Sequence, residues 1–249
     1  MGATARGDIP VADVCLVVEG CYPYVAGGVS TWLDWLMRQQ PETTFSVVAL
    51  VADERPLEPK YERPPNLVAL RTVPLATVGR QPAGTDLAID PEPLVPLLCA
   101  VLREGDSRAF AELARCIARP VARTGIGRLR RPAPPTAAEL MRSRALWQAM
   151  VACCRRLAPH AAFADFFWAW RSLAGGLLAV LTAPIPPARV HHAISTGYAG
   201  LFAARAAVLT GSRAAVTEHG IYSNERRIDL VMADWVVDTV RTRPGIVDP

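Results

Sequence analysis

The chain has 249 residues, 51% of them hydrophobic and 20% charged, which suffices for one large globular domain or two small ones and excludes a chain disordered throughout. Aromatics are only 7% and the mean hydropathy is +0.19, a balance set by Ala, Leu and Val. It predicts small-residue helices rather than an aromatic binding surface, with either a large core or a flat apolar face that expects a partner. Net charge is +4, and since Lys60 is the sole lysine the positive side is arginine without the one-face clustering that nucleic-acid binding needs, so no nucleic-acid partner is expected.

In chain order, residues 14–18 form a continuous apolar, mostly β-branched run that reads as a strand. A Gly/Pro-rich turn over 20–28 follows, then an amphipathic helix over 30–40 in which Val29, Leu33, Leu36 and Met37 recur at helical spacing, with Ser30 or Thr31 as its N-cap. Residues 45–51 and 67–73 give a second and a third strand, separated by a loop carrying Pro56, Pro59, Pro64 and Pro65. Short, fully apolar strands of this kind belong to a parallel sheet covered on both faces. From 91 to 182 the pattern is helical only, over 92–104, 107–119, 137–157 and 161–181. The stretch is too long for a simple crossover and reads as a helical insertion. Its Arg/Pro linker, Arg128 to Arg131 beside Pro132, Pro134 and Pro135, reads as a solvated loop. Alternation then resumes with a strand over 189–194, a helix over 198–209, a strand over 214–217 and a helix over 228–240.

The cysteines at 15, 21, 99, 116, 153 and 154 include no C-x-x-C pair and no regular spacing, so neither a zinc site nor a disulfide framework is expected. Reduced, mostly buried thiols fit a cytoplasmic protein. The apolar run at 14–18 is too short for a signal peptide and meets Glu19 and Gly20, so no export is expected. The segment 161–183 is interrupted by Asp165 and Arg171, too few uncharged residues for the roughly 20 that a bilayer requires; it reads as a buried helix, with a membrane-surface helix as the alternative.

Three polar loops follow strands: residues 19–28, containing Glu19, Tyr24, Gly27 and Gly28; residues 195–198, containing Ser195 and Thr196; and residues 218–222, containing Glu218 and His219. In a parallel sheet they converge at the carboxyl edge, where open α/β sheets bind ligands. Gly27-Gly28 before a helix is either a close backbone approach to a diphosphate or sugar, or a tight turn. His219 is either a donor or proton-transfer group for a substrate, or structural. His191 and His192 are packing groups, with His192 the nearer to the site. Glu19 either accepts from loop amides or binds a sugar hydroxyl. Arg226 and Arg227 either reach a phosphate or open a solvated helix, and Asp53 is the one candidate for a ribose contact. G-x-G-x-x-G, the Walker A pattern and the G-x-S-x-G elbow are all absent, which disfavours an oxidoreductase, a nucleoside triphosphatase and a serine hydrolase.

The blocks DVCLVVEGCYPYVAGGVSTW at 13–32, HAISTGYAG at 192–200 and TEHGIY at 217–222 resemble the N-terminal half of the PelF-like enzymes, family-4 retaining glycosyltransferases of GT-B fold in Pel-type exopolysaccharide synthesis. That resemblance implies a Rossmann-like acceptor-side domain over 1–249, carrying the helical insertion. It implies a UDP-sugar donor and a saccharide acceptor as substrates with no cofactor and no metal, Gly27 and Gly28 near the donor phosphates, and His219 near the transferred sugar. Glu19, Tyr24, Ser195, Thr196, Glu218 and Arg226 are the further binding candidates. It also implies a C-terminal donor-binding domain with an E-x7-E signature, which nothing after Tyr222 supplies, since only Glu225 follows. The expectation is an acceptor-side half that is inactive alone and works with membrane-bound polysaccharide synthase subunits. The alternative is a non-catalytic sugar-binding or assembly module. Cys21 stands where the resemblance would place Thr, and its thiol is the weaker hydrogen-bonding group.

Overall fold

A computed structural model describes residues 10–76, 91–118 and 134–219. Its centre is a five-stranded, wholly parallel sheet in the order β3-β2-β1-β4-β5. The strands are β1 Ala12–Glu19, β2 Phe45–Val51, β3 Leu67–Pro74, β4 Ala188–Ala193 and β5 Arg213–Val216. The helices are α1 Gly28–Gln39, α2 Pro91–Glu104, α3 Ser107–Ala118, α4 Ala137–Arg142, α5 Arg144–Leu157, α6 Phe163–Thr182 and α7 Tyr198–Thr210. This is the α/β, Rossmann-like arrangement expected, with a helical segment between β3 and β4. The expected helix over 228–240 and the Arg/Pro linker lie outside the described residues.

The pleat of β1 divides its side chains between two layers. Leu16 and Val18 pack with Leu33 and Met37 of α1 on one face. Cys15 and Val17 pack with Phe202 and Ala203 of α7 and Val180 of α6 on the other. All seven residues of β2 are buried, which explains its uninterrupted apolar run. A third apolar cluster joins α2 to α6 through Leu98, Leu113, Leu140, Met150 and Leu178. The α6 helix is the hinge between layers, since Val180 belongs to the sheet core while Leu177 and Leu181 belong to the helical one.

Three local expectations are corrected. Helix α1 begins at Gly28, capped by Gly27 rather than by Ser30 or Thr31; the Ser30 hydroxyl instead donates back to the Val25 carbonyl at 2.6 Å. The single helix over 137–157 is two, because Ser143 is extended and its hydroxyl caps α5 by accepting from the Leu146 amide at 3.1 Å. Helix α4 has its own capping box, with the Glu139 carboxylate accepting from the Thr136 amide at 2.7 Å. Third, α6 is buried mainly in its second half: Phe163, Trp168 and Leu173 are exposed, while Trp170 is buried. Among the described residues no helix is long and apolar enough to cross a membrane.

Gly176 in α6 is a site of close approach. A Cβ there would lie 2.4 Å from Cζ of the Tyr198 ring, whereas at Gly175 the nearest atom is the Leu75 carbonyl oxygen at 3.8 Å. The two neighbours should therefore respond with opposite signs. Gly175→Ala gains helix propensity and is expected to stabilise by about 0.5–1 kcal/mol. Gly176→Ala must displace the Tyr198 ring and should cost about 1 kcal/mol net, overpacking outweighing the same gain. Urea midpoints of the two variants check this, and equal shifts would remove the close contact from consideration.

Candidate functional site at the carboxyl edge of the sheet

The parallel sheet brings the three polar loops to one edge, and the side chains then sort into distinct roles. Gly28, Val29, Trp32, Ile194, Thr217 and His219 surround a small cavity of about 240 Å³. The loop after β1, the end of β4 and the loop after β5 therefore meet at one point. Helix α1 opens there without a side-chain cap, so its first amides and its positive dipole end face the cavity, the arrangement that receives anions. His219 and Glu218 are solvent-exposed.

Of the groups flanking this cavity, Tyr24 is among the candidates read from sequence and Tyr61 is not. Tyr61, from the proline-rich loop, places its hydroxyl 3.1 Å from the Thr31 hydroxyl and accepts weakly from the Gly27 amide at 3.4 Å. Tyr24 shares a hydrogen bond of 2.5 Å with the Thr72 hydroxyl of β3. These two tyrosines tie the glycine loop to its neighbours, and the Tyr61 ring packs against buried Tyr22 at 5.4 Å, tilted by 38°.

Of the two readings of Glu19, the structure shows the amide-accepting one. Its carboxylate accepts from the Tyr198 amide at 3.0 Å, the first residue of α7. A negative group at a helix start satisfies an orphan donor and complements the dipole, so Glu19 positions α7 from across the sheet. Ser195 is half-buried and, among the described residues, its hydroxyl has no partner, while Thr196 is exposed. Asp53 pairs with Arg55 at 2.8 Å, and that guanidinium holds its carboxyl below the usual range; it is engaged locally rather than held out for a ribose. Arg226, Arg227 and residues 220–222 lie outside the described residues.

The paired histidines of β4 face opposite sides. His191 is fully buried, with Nε2 3.1 Å from the Pro186 carbonyl and Nδ1 2.8 Å from the Ser212 hydroxyl. A carbonyl only accepts, so Nε2 carries the proton and Nδ1 accepts from Ser212. His192 is half-buried, its Nε2 2.7 Å from the Thr217 hydroxyl, which makes it the nearer of the two to the His219 cavity. Burial pushes both imidazoles below the ordinary 6.5. The unfolded chain therefore binds these protons more readily, and the stability they allow is present above about pH 6.5 and lost as pH falls through the lower folded values. Urea midpoints should fall between pH 7.5 and 5.5, and His191→Gln should flatten that slope; an unchanged slope would show that His191 does not titrate in this range.

A larger cleft of about 830 Å³ lies on the β1-β2-β3 side of the same edge. Its floor is Gly20, Leu50, Ala52, Leu75 and Ala76 at the strand ends; Trp147 of α5 with Phe167, Trp168 and Arg171 of α6 make the facing wall. Composition pointed away from an aromatic surface, yet the fold gathers several of the few aromatics here. The guanidinium of Arg171 lies 5.8 Å from the Trp168 ring centroid, within cation–π range. All six cysteines are free; Cys99 of α2 and Cys153 of α5 place their sulfurs 3.1 Å apart, deep in the helical core and away from both cavities.

A domain-family model matches residues 12–245, nearly the whole chain. The chain belongs to the DUF3492 family. That family is described as a domain of unknown function, and in this member its match begins at β1 and takes in the sheet, the helical segment and the His219 loop. The search of curated proteins and that of solved structures each find no match to this DUF3492 chain.

Proposed function

We propose that the chain is the acceptor-side half of a retaining glycosyltransferase of GT-B type, transferring a sugar from a UDP-sugar to a growing exopolysaccharide of Pel type. The observation that carries this reading is the meeting of Gly28, Thr217 and His219 around one cavity at the carboxyl edge. The DUF3492 family is itself associated with glycosyltransferases. The uncapped start of α1 would hold the donor diphosphate, and His219 would donate a hydrogen bond to the sugar being transferred. The departing diphosphate can take the acceptor's proton, so the edge need supply no general base. A second domain facing this edge would grip the base and ribose, and membrane-bound synthase subunits would receive the product; neither a metal nor a cofactor enters the scheme.

The test is UDP release and saccharide extension by the chain joined to its donor-binding domain, with UDP-glucose, UDP-galactose and their N-acetylamino counterparts as donors. Release with one of them supports the reading, and release with none overturns it. The second reading, a non-catalytic sugar-binding module, is favoured by the aromatic cleft, which is built from this chain's own residues and needs no donor half to be complete.

A further inference from the structure

We propose that the 830 Å³ cleft between the sheet edge and helices α4 to α6 is an oligosaccharide subsite, holding several sugar units of a polymer at once. As the place where the growing chain lies, it rests on the transferase reading; as a binding site, it stands on the cleft alone.

The first argument is exposure. Trp147 and Trp168 keep 51% and 61% of their surface exposed, although the helical core begins two residues beyond Trp168, at Trp170. Burying such a side chain is worth about 1.5–3 kcal/mol, so two half-bare indoles at the mouth of one cavity mark a surface kept for a ligand. The second is ring geometry. Trp147 and Phe167 are 6.1 Å apart and inclined at 58°, and Phe167 and Trp168 are 5.2 Å apart at 72°. Inclined rings do not cover each other's faces; Phe163 stacks on Phe167 at 6.3 Å and 28°, so the separate apolar platforms along the wall are Trp147 and Trp168.

The third argument is chemistry. A pyranose has C–H faces that lie on aromatic rings and a rim of hydroxyls that needs donors and acceptors. The cleft alternates those features, with Arg171 and Ser172 beside the aromatic platforms and the Tyr198 ring against Gly176 at the inner end. An alkyl chain would leave Arg171 and Ser172 facing hydrocarbon. A nucleotide would need an anion cradle; the uncapped start of α1 supplies one at the other cavity. The charge in the lining is specific too. Among the described residues the lining holds two guanidiniums, Arg142 and Arg171, against one carboxylate, Glu19, which leaves it net positive. Neutral or N-acetylated units are therefore preferred to free amino sugars, which the guanidiniums repel.

The experiment titrates the 249-residue chain with neutral tetrasaccharides of glucose, galactose and N-acetylglucosamine, with N-acetylglucosamine itself, and with the deacetylated tetramer, followed by calorimetry. At least one neutral tetramer should bind, with the monosaccharide and the deacetylated tetramer each at least about ten-fold weaker. Trp147→Ala and Trp168→Ala should each weaken tetramer binding about ten-fold, Trp168→Phe less, and Trp35→Ala, an exposed tryptophan of α1 outside the cleft, not at all. Urea midpoints of the variants confirm folding. Binding by no neutral tetramer, or binding unchanged in both alanine variants, overturns the proposal. The outcomes separate the two readings. Tetramer binding without UDP release from the whole enzyme removes the transferase and leaves the subsite. UDP release with an acceptor KM unchanged in Trp147→Ala and Trp168→Ala removes the subsite and leaves the transferase.

Discussion

Replacing His219 with alanine is expected to lower sugar transfer by about 100-fold or more while leaving the urea midpoint within experimental error. The two halves of that result have separate causes. The ring is exposed, three residues past the end of β5, so its removal opens no core cavity and unfolds nothing. It borders the cavity shared by Gly28 and Thr217, so its removal takes a donor from the place where charge would develop on the donor sugar and diphosphate. Losing one such donor typically costs about 10²–10³ in turnover, and loss of proton transfer costs about 10²–10⁴. His219→Gln separates the roles: recovered turnover identifies hydrogen-bond donation, and turnover as low as in the alanine variant identifies proton transfer. Transfer equal to the wild type in His219→Ala would take the residue out of the site. Measurement is of kcat/KM with a UDP-sugar, on the chain joined to the donor-binding domain proposed for it.

Arg205 carries the second large effect, on stability. It is 5% exposed, and among the described residues no ion pair holds it. Its Nη1 donates instead to the carbonyls of Val180 and Ala183 at 2.9 and 2.6 Å, at the end of α6 where backbone acceptors lack helical partners and the dipole favours a cation. Burial pulls its pKa down to about 10, and among the described residues its Nε has no partner. Arg205→Ala would strand two carbonyls and leave a void between α6 and α7, together costing about 3 kcal/mol. Arg205→Met restores volume without donors and should recover roughly half of that loss. Urea unfolding of the three proteins checks the series. An alanine variant within about 0.5 kcal/mol of the wild type would mean that water replaces the guanidinium at no cost.

Glu19 and Arg205, set against the strands, show what the sequence could convey. All five strands were legible because continuous apolar runs at 14–18 and 45–51 have no other comfortable place than the middle of a parallel sheet, and the convergence of the polar loops followed from parallelism alone. Roles that depend on partners distant in sequence were not legible. Nothing near Glu19 indicates that it meets the amide of Tyr198, 179 positions along, and nothing in the run around Arg205 indicates that an arginine would be buried between helices. The aromatic wall was hidden for another reason: Trp147 and Phe167 belong to different helices, and the break at Ser143 that frees α5 is a single capping residue inside an otherwise periodic pattern. Residues 161–183 read as buried because hydropathy averages over a segment; α6 divides along its length, with Phe163 to Leu173 largely outside and Ala174 to Leu181 inside.

The position of the helical segment between β3 and β4 also governs how the chain must assemble. Strands β1, β2 and β3 pair within the first 74 residues, so a three-stranded half-sheet is complete early in synthesis. Its edge strand, β1, which becomes central in the finished sheet, then waits for β4, which begins only at Ala188. At a translation rate of about 5–20 residues per second, that interval lasts about 5–20 s, during which β1 presents an open backbone edge and Cys15 and Val17 present bare apolar surface. Nascent chains arrested between Pro74 and Ala188 should accordingly recruit chaperones, and release from them should coincide with the emergence of β4.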